Sequence, residues 1–417
     1  MSKLLHRVTL VAPEHPLHEE VVDVRFSDGK LTDLAAQLVP RSGEESVDGK
    51  GQYLTRNFTD VGTLIGDPGF EQREDLTSLT AVARRGGYGR ILPFPNTHPA
   101  VDGKSGVGYL RRAAPDLGIE LYPIGALTED AAGRDLTEMI DMHRAGAVAF
   151  SDGTRSVQDA GLMLRCLQYV RAFDGMVINH PHSTQLALGG QMHEGTISTM
   201  LGMRGIPALA EEMMVRRDLE LLRYTDSRLH IFNLSTTTSV DLVRQAKAEG
   251  LRVSCSAAVF NLLFTDHDLL DFNTQLKVLP PLRPADDVAA LKRGLADGTI
   301  DFLTSNHRPY EDELKDLEFS NAEFGCTSLE TAFSVALAAL REQLSVPAIL
   351  EKFNGRVNSI FGLPERSVGG SASSDWLLVD ASTGWDYLHT ESRSRNSPLL
   401  GAHLVGSVQS VDSFFVQ

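Results

Sequence analysis

The sequence predicts an α/β protein. Its middle reads as a parallel sheet, either a (β/α)8 barrel or a doubly wound sheet, and a small β-rich part is made from both ends of the chain. Three observations carry this. Short apolar runs alternate with helical patterns from about Tyr53 to about Leu363. Both flanks have strand texture instead. No G-x-G-x-x-G turn follows an early strand, and Gly86-Gly87-Tyr88-Gly89 precedes a strand where a dinucleotide-binding turn opens a helix.

The elements follow in order. Leu4–Val11 and Val21–Phe26 are rich in apolar and β-branched residues, and Asp28-Gly29 and Asp48-Gly49 mark turns. The middle offers strands at Gly89–Phe94, Glu120–Ile124, Ala147–Phe150, Met176–Asn179, Leu229–Leu234, Arg252–Ser256 and Ile300–Leu303. Helical periodicity falls at Leu162–Ala172, Val240–Glu249, Asp286–Ala296 and Ser328–Leu344. After Pro364 the chain returns to strands at Ser374–Asp380 and His403–Val411, so the termini are expected to pair.

Composition narrows the function classes. Of 417 residues, 42% are hydrophobic, enough for a large core. Lys+Arg 39 against Asp+Glu 55 gives a net charge of −16, which repels nucleic acid and anionic membranes. No stretch approaches the roughly 18 apolar residues of a membrane span. Cys166, Cys255 and Cys326 form no C-x-x-C pair, and the N-terminus has no sustained apolar run before Glu14. The expectation is a cytoplasmic protein with neither nucleic-acid nor membrane partners.

A set of short motifs then appears in a fixed order. Phe58-Thr59-Asp60 leads to Asp67-Pro68-Gly69 and Glu74-Asp75. Phe94-Pro95-Asn96-Thr97 and Ala145 through Asp152 follow, then Glu194-Gly195, Ala210-Glu211 and Leu234-Ser235-Thr236. Ala246-Lys247, Pro280-Pro281-Leu282-Arg283, Gly298 through Asp301 and Leu329-Glu330 complete the series. This order resembles the dihydroorotase family of the cyclic amidohydrolase superfamily. The resemblance implies a (β/α)8 TIM barrel at residues 54–364 and a small discontinuous β domain from residues 1–53 plus 365–417. It also implies hydrolysis of the cyclic amide dihydroorotate in pyrimidine biosynthesis, by zinc held at the C-terminal strand ends. Imidazole and carboxylate ligands there lower the pKa of a bound water toward about 7, and a late aspartate accepts its proton.

This chain departs from that pattern residue by residue. The His-x-His positions of the first strand fall on Gly62 and Leu64, and the carboxylate-gripping arginine falls on Gly66. Asp152 matches the bridging acid and His180 the first middle histidine, while the second is Asn233. The late Asp-His-Ala-Pro-His motif reads Asn306-His307-Arg308-Pro309-Tyr310, so the base is an amide and the last substrate histidine a tyrosine. A substrate-side asparagine is replaced by Leu279, and Asn96 is the substrate contact that survives. Of the metal and base positions only Asp152 and His180 stay competent, as weak remnants, whereas catalytic zinc takes three protein ligands and a water. No cofactor is therefore expected.

Plainer roles stand beside these. His180 and His182 also read as polar residues lining the cleft, Asp152 as a hydrogen-bonded remnant, and Asn96 as a residue shaping its own turn. His193 and His307 lack ligand spacing, and Cys255 lacks a positioned base. The leading expectation is a dihydroorotase-like pseudoenzyme serving as a structural or regulatory subunit. Its implied partner is aspartate carbamoyltransferase, and a homo-oligomer is expected from the family likeness. The alternatives are an active metal-dependent cyclic amide hydrolase rebuilt around Asp152, His180 and His182 or His307, with zinc, or a small-molecule binding module using Asn96 and Tyr310.

Overall fold

The computed structural model describes residues 2–365 and 367–414. Strand β1 (Ser2–Val11) runs antiparallel to β2 (Val21–Ser27), which pairs with β3 (Lys30–Ala35). On its other side β1 pairs in parallel with β4 (Glu45–Asp48) and β5 (Tyr53–Arg56). A register shift between Leu5 and Val8 places Arg7 at φ 57°, a bulge that turns the strand onto a different stretch of partner. Strands β3 and β4 lie in the stretch that reads as short strands but are partly exposed, and β5 is a four-residue strand whose Thr55 and Arg56 are buried polar residues, so none of the three shows a distinct apolar run.

Parallel strands then form the barrel. They are β6 (Phe58–Thr63), β7 (Tyr88–Pro93), β8 (Glu120–Leu121), β9 (Ile124–Gly125), β10 (Ala149–Phe150) and β11 (Met176–Asn179). A separate parallel pair, β12 (Met192–His193) and β13 (Gly205–Ile206), lies in the long connection that follows. The barrel resumes with β14 (Arg228–Ile231), β15 (Val253–Ala258) and β16 (Phe302–Thr304). The expected single strand Glu120–Ile124 is split, β8 pairing with β7 and β9 with β10. Pro123 is the cause: it has no N–H for the ladder, so its carbonyl turns to Val148 N at 3.1 Å after Tyr122 N has bonded Ile91 O at 2.9 Å.

Closure between the last and first barrel strands is made by a side chain. Asp60, fully buried on β6, accepts from both Ser305 N and Ser305 Oγ at 2.7 Å, while Leu64 N donates to His307 O at 3.0 Å. Finally β17 (Trp376–Asp386) runs antiparallel to β5, and β18 (His403–Ser410) to β17, so strands from both chain ends share one seven-stranded sheet. That sheet has an apolar cluster of its own, including Leu5, Val8, Val24, Phe26, Leu54 and Trp376.

Some of the helices start where a side chain caps them. Asp159 accepts from Leu162 N at 2.6 Å to start Ala160–Arg171, and the Thr236 hydroxyl caps Thr237–Ala248. The expected helix Ser328–Leu344 is shorter, a 3-10 turn at Leu329–Thr331 and a helix at Ala332–Leu340. A further helix, Val346–Ile360, begins at the Ser345 cap and was missed. It starts with Val346-Pro347, and the first helical turn is where proline is over-represented, its missing N–H being one of the unpaired ones there.

Candidate functional site

The C-terminal strand ends bring the singled-out residues to one mouth, and aromatic rings fill its centre. Gly62, next to the last residue of β6, has φ 82°, and a Cβ there would stand 2.4 Å from the Phe232 ring and 2.8 Å from the Phe94 ring. Those rings pack edge to face with centroids 4.8 Å apart. Leu64 joins the same apolar cluster. Gly66 is tighter still: its Cβ would lie 2.2 Å from Phe70 O and 2.4 Å from Glu74 O, both backbone atoms, so no side chain fits. Two strand-end asparagines share the left-handed backbone, Asn233 and Asn306, each at φ 56°. That region tolerates Asn, Asp and His better than other side chains, and a neutral amide is neither a zinc ligand of the usual kind nor a base.

The remaining polar groups are partly committed. Asp152 accepts from Thr128 N at 2.9 Å and from Thr128 Oγ1 at 2.7 Å, and burial raises its pKa above the ordinary carboxylate value. Asn96 donates to Asp152 O at 3.1 Å and accepts from Thr154 N at 3.0 Å, so its amide ties the loop after β7 to the loop after β10 and does more than shape its own turn. Asn233 Oδ1 accepts from Thr304 Oγ1 at 2.7 Å and Ser256 Oγ at 3.2 Å. Asn306 Nδ2 donates to Leu279 O at 3.2 Å. Leu279 packs against the Ala187, Ile206 and Ala210 cluster, and Tyr310 lies half-buried beneath the Arg73 guanidinium, 5.3 Å from its ring centroid.

His180 is buried with neither ring nitrogen hydrogen-bonded, and its ring centroid is 6.1 Å from that of His182. Burial, then the charge of Arg308, holds His180 well below the ordinary imidazole pKa. His182 is pulled down to about 4 by burial and by Arg283 and Arg308. Arg308 was not singled out in the sequence, although it stands where the related motif has a small residue. That size change is the signal for it.

Several other motif residues serve as braces. Glu211 accepts from Ser235 N at 2.8 Å, from Thr236 N at 3.1 Å and from the Ser235 hydroxyl, and it faces Arg283 at 3.5 Å. Arg283 also donates to His193 Nδ1 at 2.9 Å. His307 accepts from Ser328 N at 3.2 Å and meets Glu74 at 3.4 Å, so both of its nitrogens are engaged. Lys247 donates to Asp301 at 2.6 Å. Cys255 donates to Thr299 O, and burial pushes its thiol up to about 12, which removes the thiolate a nucleophile needs.

The donor set does not fit a catalytic zinc. Such a site needs three protein ligands around one ion. Among the described residues, one group of three His, Cys, Asp or Glu donors comes close enough together, His18, Glu19 and Glu351, and none of these is at a barrel strand end. At the mouth, Asp152 is occupied by Thr128 and His180 stands among Phe232, His182 and Arg308.

Comparison with known proteins places these observations. A family model described as Dihydro-orotase-like matches residues 54–239. The chain is 40% identical to a dihydroorotase of Pelotomaculum thermopropionicum over 411 residues, covering 97% of this chain and 96% of that one. It is 37% identical to a dihydroorotase of Acetivibrio thermocellus over 393 residues, covering 93% and 92%. Among solved structures, an L-hydantoinase (dihydropyrimidinase) from Arthrobacter aurescens superposes with a TM-score of 0.82 at 22% identity over 97% of this chain and 93% of that one. A dihydropyrimidinase from Brevibacillus agri superposes at 0.79 with 18% identity over 99% and 94%. At that identity the likeness speaks for the fold, the α/β barrel of amidohydrolases.

Proposed function

The chain belongs to the dihydroorotase family of cyclic amidohydrolases, and we propose that it serves pyrimidine biosynthesis as a member without hydrolytic activity, a structural or regulatory subunit. The observation that carries the reading is the filled first strand end. The place of the histidine pair is taken by a left-handed glycine under two phenylalanine rings and by a leucine, and the place of the arginine has no room for a side chain. Asn306 in place of the proton acceptor supports it, since an amide does not take a proton from water.

In this reading the barrel at residues 54–364 and the small β domain from residues 1–53 plus 365–417 form a scaffold. The partner is a cytoplasmic aspartate carbamoyltransferase, and the chain itself is a homo-oligomer. The test is size-exclusion chromatography of the purified full chain with that enzyme from the same organism, beside a dihydroorotate hydrolysis assay with and without zinc. A joint peak without turnover is expected. Separate elution together with zinc-dependent turnover overturns the reading.

A rebuilt, working hydrolase is the second reading, favoured by the 34–40% identity to chains named dihydroorotase over nearly their whole length. With His307 bound to Ser328 and Glu74, that site reduces to Asp152, His180 and His182. It requires His180→Ala to abolish the activity.

A further inference from the structure

The loop between β1 and β2 is wound tightly. His15 N donates to Ala12 O at 2.9 Å, and His18 N to His15 O and Glu20 N to Leu17 O, both at 3.0 Å. Glu19 N returns to Leu10 O at 2.7 Å, which ties the turn to β1. The turn sets His18 and Glu19 beside Glu351, which stands on the helix Val346–Ile360. His18 Nε2 lies 3.1 Å from Glu351 Oε1 and 3.7 Å from Glu19 Oε1. One ligand atom from each of the three falls within 4.8 Å of the other two. His18 Nδ1 is buried, so Nε2 is the ring nitrogen left open.

Charge and spacing both point to a cation here. Among the described residues no lysine or arginine pairs with Glu19 or Glu351, and His18 is the partner of both. Lys352, next on the helix, feels the charge of Glu351 without forming an ion pair with it. Nitrogen and oxygen ligands about 2.1 Å from a tetrahedral zinc stand about 3.4 Å apart, and the two distances at Nε2 bracket that value. We propose that His18, Glu19 and Glu351 bind one divalent transition ion of the zinc or cobalt kind, which clamps the β1–β2 turn to the barrel helix. An imidazole nitrogen selects such ions over magnesium and calcium, which take oxygen donors. The clamp spans the seam between the small sheet and the barrel. Glu14 and His15 on the turn, with Asn354 and Gly355 one helical turn beyond Glu351, line a cleft of about 950 Å³ there. The side chains of Glu19, Glu351 and His18 are 56%, 35% and 26% exposed, so the ion exchanges with solvent and dialysis removes it.

The site shares no residue with the mouth, so it and the reading of the mouth fail separately. The experiment titrates zinc, cobalt or magnesium chloride into tag-free full chain freed of metal by dialysis against EDTA, followed by calorimetry and thermal unfolding. Saturable uptake of one zinc or cobalt ion per chain is expected, with a rise in melting temperature and no response to magnesium at equal concentration. Amide exchange at residues 12–20 and Val346–Ile360 should slow when zinc is added. Uptake should be lost in His18→Ala and kept in His180→Ala. In Glu351→Gln it should weaken by more than about tenfold, since losing even an outer partner of a metal ligand costs that much. A second ion that depends on His180 and brings dihydroorotate turnover would overturn the reading of the mouth and leave this site standing. No uptake, uptake unchanged in both His18→Ala and Glu351→Gln, an equal response to magnesium, or a single ion lost in His180→Ala overturns the proposal.

Discussion

Gly62 shows how one residue decides what the mouth can hold. Its φ of 82° costs a side chain about 1 kcal/mol in backbone strain, and a Cβ 2.4 Å from the Phe232 ring adds an overpacking cost of about 1–3 kcal/mol. Gly62→Ala should therefore lower stability by about 2–4 kcal/mol, read as a shift of the urea midpoint at unchanged slope. An unchanged midpoint would mean that the rings give way easily and that the position is open to a ligand. Asn306 behaves differently, because Asp adopts the same left-handed backbone. Asn306→Asp should fold normally and still fail to hydrolyse dihydroorotate, since the first strand end supplies no metal ligand. Turnover by this single variant would show that the base was the one missing part.

Among the elements, the junction of β16 with β6 bears the most on the site, because both strands end at the mouth. Asp60 makes it by accepting from Ser305 N and Oγ, and burial raises its pKa despite those bonds. Asp60→Ala leaves the Ser305 N–H buried without an acceptor, at about 1–3 kcal/mol for each unsatisfied group. The expected result is faster amide hydrogen exchange in Phe58–Thr63 and Phe302–Thr304 ahead of the other barrel strands. Uniform acceleration across the barrel would contradict this local role. Such junctions mark the limit of what the sequence disclosed. Strand texture and helical period are local, so β7, β11 and the helix Ala285–Ala296 were legible within a residue or two. The Phe94–Phe232 contact and the approach of Arg308 to His180 depend on which strand ends face each other across the barrel, and spacing along the chain does not encode that. Motif order along the chain singled out Gly62, Leu64, Asn233 and Asn306, but the rings and backbone atoms that pack around them were not legible from it.

At the level of the whole molecule, buried neutral histidines and paired carboxylates set the response to pH. His230, stacked on Phe302 and hydrogen-bonded to Ser254 and Ser256, is lowered by burial to about 3, and His193 by burial and then Arg283 to about 4. In the unfolded chain both titrate near 6.5, so the unfolded state binds more protons below that pH. Their contribution is complete above about 6.5 and is lost as pH falls toward 4 and 3. Glu44, held at about 2 by its hydrogen bond from Arg25, adds a loss from about 4.5 downward. Urea stability should thus be flat near pH 7–8 and decline below 6.5, by up to about 1.4 kcal/mol per pH unit for each such histidine, with a shallower slope in His230→Gln. Stability rising as pH falls from 6.5 to 5 would contradict the burial of these rings. Chelation provides a second check. With no three-ligand site at the mouth, 1,10-phenanthroline should leave the melting temperature unchanged, and a marked fall would expose a structural metal.

The central claim is that the first strand end and the late loop no longer assemble a hydrolytic centre. It is tested most directly by dihydroorotate hydrolysis with purified full chain, assayed together with its zinc content. Turnover no faster than buffer, with substoichiometric zinc and no gain on adding the metal, is the result expected. Hydrolysis that rises with added zinc and disappears in His180→Ala would contradict it.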